Sequence, residues 1–128
     1  MVKVSESIVR VTPGPRMSQG VIYGGLLYTA GQVDAQSADV GEQTKNVLAK
    51  IDALLEQAQS SKSQVLSASI WLSDMATFDD MNRAREHWID PHNPPARATV
   101  ESRLATAEYK VEIAVIAVAG KAQRPTFS

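Results

Sequence analysis

The chain has 128 residues, with 13 Lys and Arg against 14 Asp and Glu for a formal net charge of −1, a length that supports a single domain over 1–128 with a real hydrophobic core. The basic residues are scattered rather than gathered into a stripe, which argues against a nucleic-acid partner, and the absence of cysteine excludes disulfides, thiolate nucleophiles and cysteine-based metal sites. No apolar run approaches the roughly 18 residues of a membrane span and the N-terminus shows no secretory core, so the expectation is a soluble cytoplasmic protein without a membrane partner.

Ser7 to Val11 reads as a first strand, stopped by Thr12-Pro13-Gly14-Pro15. Val21-Ile22-Tyr23, the Gly24-Gly25 turn and Leu26 to Ala30 follow as a hairpin. Gly31-Gln32 ends the second arm, where a glycine serves either to turn the chain or to let something approach the backbone closely. Asp39-Val40-Gly41-Glu42 resembles a capping box, with Asp39 as N-cap and Glu42 reaching back. The helix it opens runs to about Gln59, with Val47, Ile51, Leu54 and Ala58 at helical spacing as a core stripe. Val65 to Leu72 is the next strand. Thr77 caps a second helix, with Asp80 at N3, and Asp90-Pro91 ends it. On that helix Phe78, Met81, Arg85 and Trp88 share a face, where the Arg85 stem lies along apolar surface. Strands from Arg97 and Lys110 complete the order β-β-α-β-α-β-β. That order predicts an α+β two-layer domain, a mixed sheet with two helices on one face.

The most informative stretch is the strand that opens at Arg97 after Pro94-Pro95. Two prolines make the approach extended and stiff. Alternation puts Arg97, Thr99 and Glu101 on one face. A guanidinium held there can clamp a planar carboxylate with two parallel hydrogen bonds. It can equally pair with Glu101 or Glu112 as a structural ion pair. Val111 to Val118 is almost continuously apolar and suits a strand buried on both faces, with Glu112 as its one interior charge. A buried carboxylate needs a partner, a hydrogen-bonding task, or both. Two helices cover only one side of such a sheet, so subunit association is the simplest cover for the other. His87 and His92 form no metal-binding pattern, and no motif marks a nucleophilic serine. Asp79-Asp80 complements the dipole of the second helix.

These residues carry a resemblance. Pro95-Ala96-Arg97, Val100, Arg103 and Val111-Glu112-Ile113 look like the C-terminal signature of the RidA/YjgF family. Thr29-Ala30-Gly31-Gln32, then Gln43-Thr44 with Asn46 and Leu54, then Leu72-Ser73-Asp74-Met75 with Phe78 and Met81-Asn82, agree in order and spacing. The resemblance runs from about Gly14 to Val118.

It implies homotrimers of a chorismate-mutase-like fold with ligand clefts between subunits. The implied reaction is hydrolytic deamination of enamine and 2-imino acid intermediates to 2-keto acids and ammonia, without metal or cofactor. In that role Arg97 holds a substrate carboxylate, Glu112 helps place the attacking water, and the backbone around Gly31 hydrogen-bonds the substrate. Departures fall in the same pocket. Many family members carry Ser at Ala30, Cys at Thr99 and Tyr near Arg16-Met17, and Leu104-Ala105-Thr106 replaces a frequent Leu-Pro. Loss of two polar contacts, with Arg16 as a possible second cation, favours a larger or more acidic ligand. Two other classes remain open. One is a non-catalytic small-acid sensor that keeps Arg97 but tolerates loss of Glu112. The other is a ribonuclease, an activity attributed to some relatives and disfavoured here by the near-neutral charge.

Overall fold

The computed structural model describes residues 7–120. Its elements are β1 (Val9–Pro13), β2 (Ser18–Tyr23), β3 (Leu26–Thr29), α1 (Val40–Gln57), β4 (Val65–Leu72), α2 (Phe78–Glu86), β5 (Ala96–Glu101) and β6 (Val111–Val118). Three strands precede α1, one more than the expected order counts, because the leading segment pairs with β2 through Val9, Arg10, Val11 and Pro13; it runs past the expected stop at Thr12-Pro13, with Thr12 unpaired at a φ of 47°. The six strands form one mixed sheet in the order β1-β2-β3-β6-β4-β5. Only β4 and β5 run parallel, joined across α2. Both helices lie on one face, giving the expected α+β two-layer arrangement.

Local chemistry accounts for the element ends. Gly24 and Gly25 both take positive φ, 60° and 76°, as a two-residue hairpin turn between Tyr23 and Leu26 requires. Asp39 caps α1 by accepting the Glu42 N–H at 2.9 Å. The reciprocal half of the capping box does not form. The Asp39 N–H instead donates to Ser37 Oγ at 3.1 Å, and Glu42 pairs with Lys45 at 3.3 Å. At the other end Gln59 is left-handed (φ 56°), and the Ser60 N–H reaches back to the Leu55 carbonyl at 2.8 Å, closing the helix at Gln57.

The second helix departs more from expectation. Thr77 makes no side-chain cap; its hydroxyl donates to the Asp74 carbonyl at 2.7 Å. Asp74 is the capping residue, accepting the Ala76 N–H at 2.9 Å to start a 3₁₀ turn over Met75–Thr77. The helix stops at Glu86, well before Asp90-Pro91. There the Trp88 and Ile89 N–H groups both bond the Arg85 carbonyl, at 2.9 and 3.0 Å. That bend lets the Trp88 indole donate to Asp52 of α1 at 2.8 Å.

The core lies between sheet and helices. Leu27, Ile70, Leu72, Val111 and Ala117 from the sheet meet Val47, Ile51 and Met81 from the helices, each 1 % exposed or less. Each large apolar side chain so buried contributes about 1.5–3 kcal/mol. β6 alternates: Val111, Ile113, Val115 and Ala117 are buried, while Glu112, Ala114, Ile116 and Val118 are half-buried on the opposite face. A single copy therefore buries only one face of the strand that the sequence predicts to be buried on both. Across the open face Tyr28 and Val100 are 44 % and 49 % exposed.

Candidate active site

Arg97 is placed by the register of β5. It pairs with Ala68, and Thr99 and Glu101 pair with Ile70 and Leu72, all three partners buried under the helices. Arg97 therefore projects on the helix side of the sheet. Its guanidinium donates from Nη1 to Asn82 Oδ1 of α2 at 2.5 Å and lies 5.2 Å from the Phe78 ring centroid. Such a cation–π contact is worth about 0.5–2 kcal/mol and fixes the plane of the fork. Neither structural pairing open to the sequence forms. Glu101 accepts the Met75 N–H at 2.9 Å, and among the described residues Arg97 has no carboxylate partner. Thr99 Oγ1, two positions on along the same face, is buried without a hydrogen-bond partner among the described residues.

The connection into β5 is held by Asp90. Its carboxylate accepts from Ser63 Oγ at 2.6 Å, from Asn93 Nδ2 at 2.9 Å and from the His92 N–H at 2.9 Å. Those donors, Ser63 first, lower its pKa to about 2. Asp90 thus fixes the loop whose prolines deliver Arg97.

Glu112 lies on the other face. It pairs with Trp71, while its neighbour Val111 pairs with Leu72 beneath the helices. Arg97 and Glu112 therefore project from opposite faces of the same sheet. Glu112 instead meets Gly31: a Cβ built there would stand 2.0 Å from Glu112 Oε2. The glycine is needed for close approach rather than for a turn.

The chain around Gly31 is shaped to make that approach. The Thr29 hydroxyl accepts the Val115 N–H at 2.9 Å as β3 ends, and the Ala30 N–H donates to the Gln19 carbonyl at 2.8 Å. Pairing with β6 resumes at Gln32, which exchanges hydrogen bonds of 2.8 and 3.1 Å with Ile113. Among the described residues neither the N–H nor the C=O of Gly31 is engaged, so both can face a ligand.

Ala30 is half-buried beside Gly31 and offers no polar side chain. Arg16 is exposed in the β1–β2 connection, at the sheet end that carries Ala30 and Gly31. The candidate residues thus fall into two groups, Arg97 with Thr99 on the helix side and Glu112 with Gly31 on the open side.

Three contributors were not legible as such in the sequence. Asn82 orients Arg97. Gln43, fully buried on α1, accepts the Lys110 N–H at 2.8 Å and donates to the carbonyls of Ser37 (2.7 Å) and Glu108 (2.8 Å), setting the chain that leads to Glu112. Arg85 is 7 % exposed, so more than its stem is covered. Burial, and secondarily the charge of Arg97, lowers its pKa to about 10. The family spacing marks Asn82 and Gln43 but not their tasks; nothing in the sequence marks Arg85 beyond its place on an apolar helix face.

His87 and His92 are exposed, and among the described residues no group of three or more His, Asp or Glu is placed to hold a metal ion. No helix among them is long and apolar enough to cross a membrane. Two open hollows on a single copy, about 710 and 770 Å³, lie along Glu101 to Lys110 and between the end of α1 and Gln64. Neither includes Arg97, Gly31 or Glu112.

The model of the Endoribonuclease L-PSP family matches residues 8–119. A RutC family protein of Haemophilus influenzae is 44 % identical over 113 residues, covering 87 % of this chain and 97 % of that protein. The RutC family protein YoaB of Escherichia coli is 42 % identical over 111 residues, covering 87 % and 97 %. Among solved structures, a YjgF family member from Neisseria meningitidis superposes with a TM-score of 0.88 at 40 % identity, covering 91 % of this chain and 98 % of that one. A protein from Salmonella typhimurium described as a putative translation initiation inhibitor superposes with a TM-score of 0.80 at 44 % identity, covering 90 % and 100 %.

Proposed function

The chain belongs to the YjgF/RidA family, and on that premise we propose that it hydrolyses 2-imino acids to 2-keto acids and ammonia in clefts between the subunits of a homotrimer. The observation that carries the reading is Arg97: a guanidinium oriented by Asn82 and Phe78 with no carboxylate of the described chain to neutralise it. Such a fork is complementary to a substrate carboxylate.

Glu112 and Gly31 supply the other half of the site. Because Arg97 and Glu112 leave opposite faces of one sheet, a site using both draws them from two copies. The half-buried apolar face of β6, with Tyr28 and Val100, supports that association. In the cleft Arg97 fixes the carboxylate and thereby the C=N carbon. The Glu112 carboxylate accepts a proton from water as the water oxygen bonds to that carbon, and the same proton passes to the imine nitrogen, giving a tetrahedral adduct with one hydroxyl and one amino group. The hydroxyl proton then moves, again through Glu112, to the amino group, which leaves as ammonia as the C=O forms. An imine plus water gives a ketone plus ammonia, so no redox partner is needed. Orientation and proton transfer carry the rate.

The test is keto-acid and ammonia release from imino acids generated in situ by an amino-acid oxidase, run beside an RNA cleavage assay. Release by the parent, lost in Arg97→Ala and strongly reduced in Glu112→Gln, is the expected result. Binding of keto acids with no release above the spontaneous rate makes the chain a small-acid sensor. RNA cleavage that survives Arg97→Ala, without imine hydrolysis, overturns the proposal outright.

A further inference from the structure

Arg85 lies three residues beyond Asn82, one turn along the α2 face that meets Arg97. It is 7 % exposed, yet among the described residues no acceptor takes a hydrogen bond from its guanidinium and no carboxylate pairs with it. Among the described residues Glu86, next in sequence, does not pair with it, and four other acids of the surrounding elements are otherwise occupied. Asp80 pairs with Arg83, Asp52 accepts from Trp88, Glu101 accepts from Met75, and Asp90 holds its own loop. The Arg85 nitrogens keep some contact with solvent, yet covering most of a guanidinium without a carboxylate partner is unfavourable, and an apolar side chain of similar size is commonly as stable or more so. A second cation adds to that cost, since the charge of Arg97 adds to burial in lowering the Arg85 pKa to about 10, which still leaves Arg85 charged at neutral pH. The unpartnered Thr99 hydroxyl lies on the same side of the sheet. Two guanidiniums, an amide and a free hydroxyl with no carboxylate among them match an anion carrying two charges.

We propose that Arg85 is a specificity-determining residue of the Arg97 site, and that the site takes a 2-imino or 2-keto acid bearing a second carboxylate, one carboxylate held by Arg97 and the other by Arg85. The inference rests on the reading of Arg97 as a carboxylate clamp. It moves the role of second cation from Arg16, exposed in the β1–β2 connection, to Arg85.

The experiment is titration calorimetry of the full chain with 2-oxobutanoate and 2-oxoglutarate, on the parent, Arg85→Met, Arg85→Lys and Arg97→Ala, with light scattering on each. The parent should bind 2-oxoglutarate about tenfold or more tightly than 2-oxobutanoate. In Arg85→Met that ratio should fall to about one, and Arg85→Lys should recover part of it. A parent that binds both acids equally overturns the inference without any variant, as does a ratio unchanged in Arg85→Met. Loss of assembly in both Arg85 variants, with no preference in the parent, makes Arg85 an ion-pair partner between subunits instead. Failure of the underlying clamp looks different: 2-oxobutanoate then binds Arg97→Ala as well as the parent, or neither acid binds the parent.

Discussion

A methyl group at position 31 would fall 2.0 Å from a Glu112 carboxylate oxygen. Backbone does not block it; the flexible end of Glu112 does, so the side chain yields and the fold survives. Gly31→Ala is therefore expected to displace the carboxylate by an ångström or more and to lower the deamination rate on the order of 10²-fold, with little change in melting temperature. The same substitution in a Glu112→Gln background should cost almost nothing further. Equal losses in the two backgrounds would show that Gly31 acts through its own backbone. Arg97 is expected to separate into charge and geometry. Arg97→Ala should weaken 2-oxobutanoate binding by about 2–5 kcal/mol, and Arg97→Lys should recover only part of that by calorimetry, because an ammonium is a point donor. Undiminished binding by Arg97→Ala would end the clamp reading. Both residues were visible in the sequence because a charge on a strand demands an explanation. Asn82 and Arg85 were less so, since polar residues on a short helix ordinarily face water, and only the fold brings β5 against that turn of α2.

Among the elements, α1 was the most legible: Asp39 and the apolar stripe place its start and its buried face within the residues that carry them. The end of α2 was not, because Asp90-Pro91 is a plausible stop while the real one is a bend that lets Trp88 reach Asp52 across the layer. That long-range hydrogen bond has no sequence signal. The consequence is the Asp90 loop, which aims β5 and has a pH signature. The folded pKa of Asp90 is about 2, below the ~3.9 of an unfolded chain. Its contribution to stability is thus complete above pH ~4 and lost as pH falls through about 2. Asp90→Asn should lower the melting temperature at neutral pH and flatten the acid limb between about pH 4 and 2 relative to the parent. Superimposable acid limbs, measured by thermal melts, would show that the three hydrogen bonds to Asp90 contribute nothing to folding. Asp34 acts similarly ahead of α1, where the Asn46 amide, donating at 3.0 Å, is the main cause holding its carboxyl below the usual range.

At the scale of the whole molecule, the sheet is covered on one face and half-bare on the other. The sequence predicts that imbalance from the apolar run of Val111 to Val118 and the shortage of chain to cover it. The sequence does not reveal which side of the sheet each functional residue takes. Alternation within β5 and β6 is plain, but the relative phase of two strands comes only from the pairings Ala68 with Arg97 and Trp71 with Glu112. That phase is why the proposed site draws on two copies. Burying a standard interface of roughly 800 Å² per partner over the open face is expected to hold the proposed trimer at micromolar concentration, which light scattering checks directly.

In the proposed assembly each cleft takes Arg97 from one copy and Glu112 from another, and subunit mixing tests this directly. Arg97→Ala and Glu112→Gln are each expected to be nearly inactive alone. When the two variants are unfolded together and refolded at equal amounts, about a quarter of the clefts in a randomly mixed ring combine an intact Arg97 with an intact Glu112. Imine deamination should then return to about a quarter of the parent rate. Mixed assemblies, verified by mass spectrometry, that stay as inactive as the two variants would contradict the claim and require both residues to act within one copy or not at all.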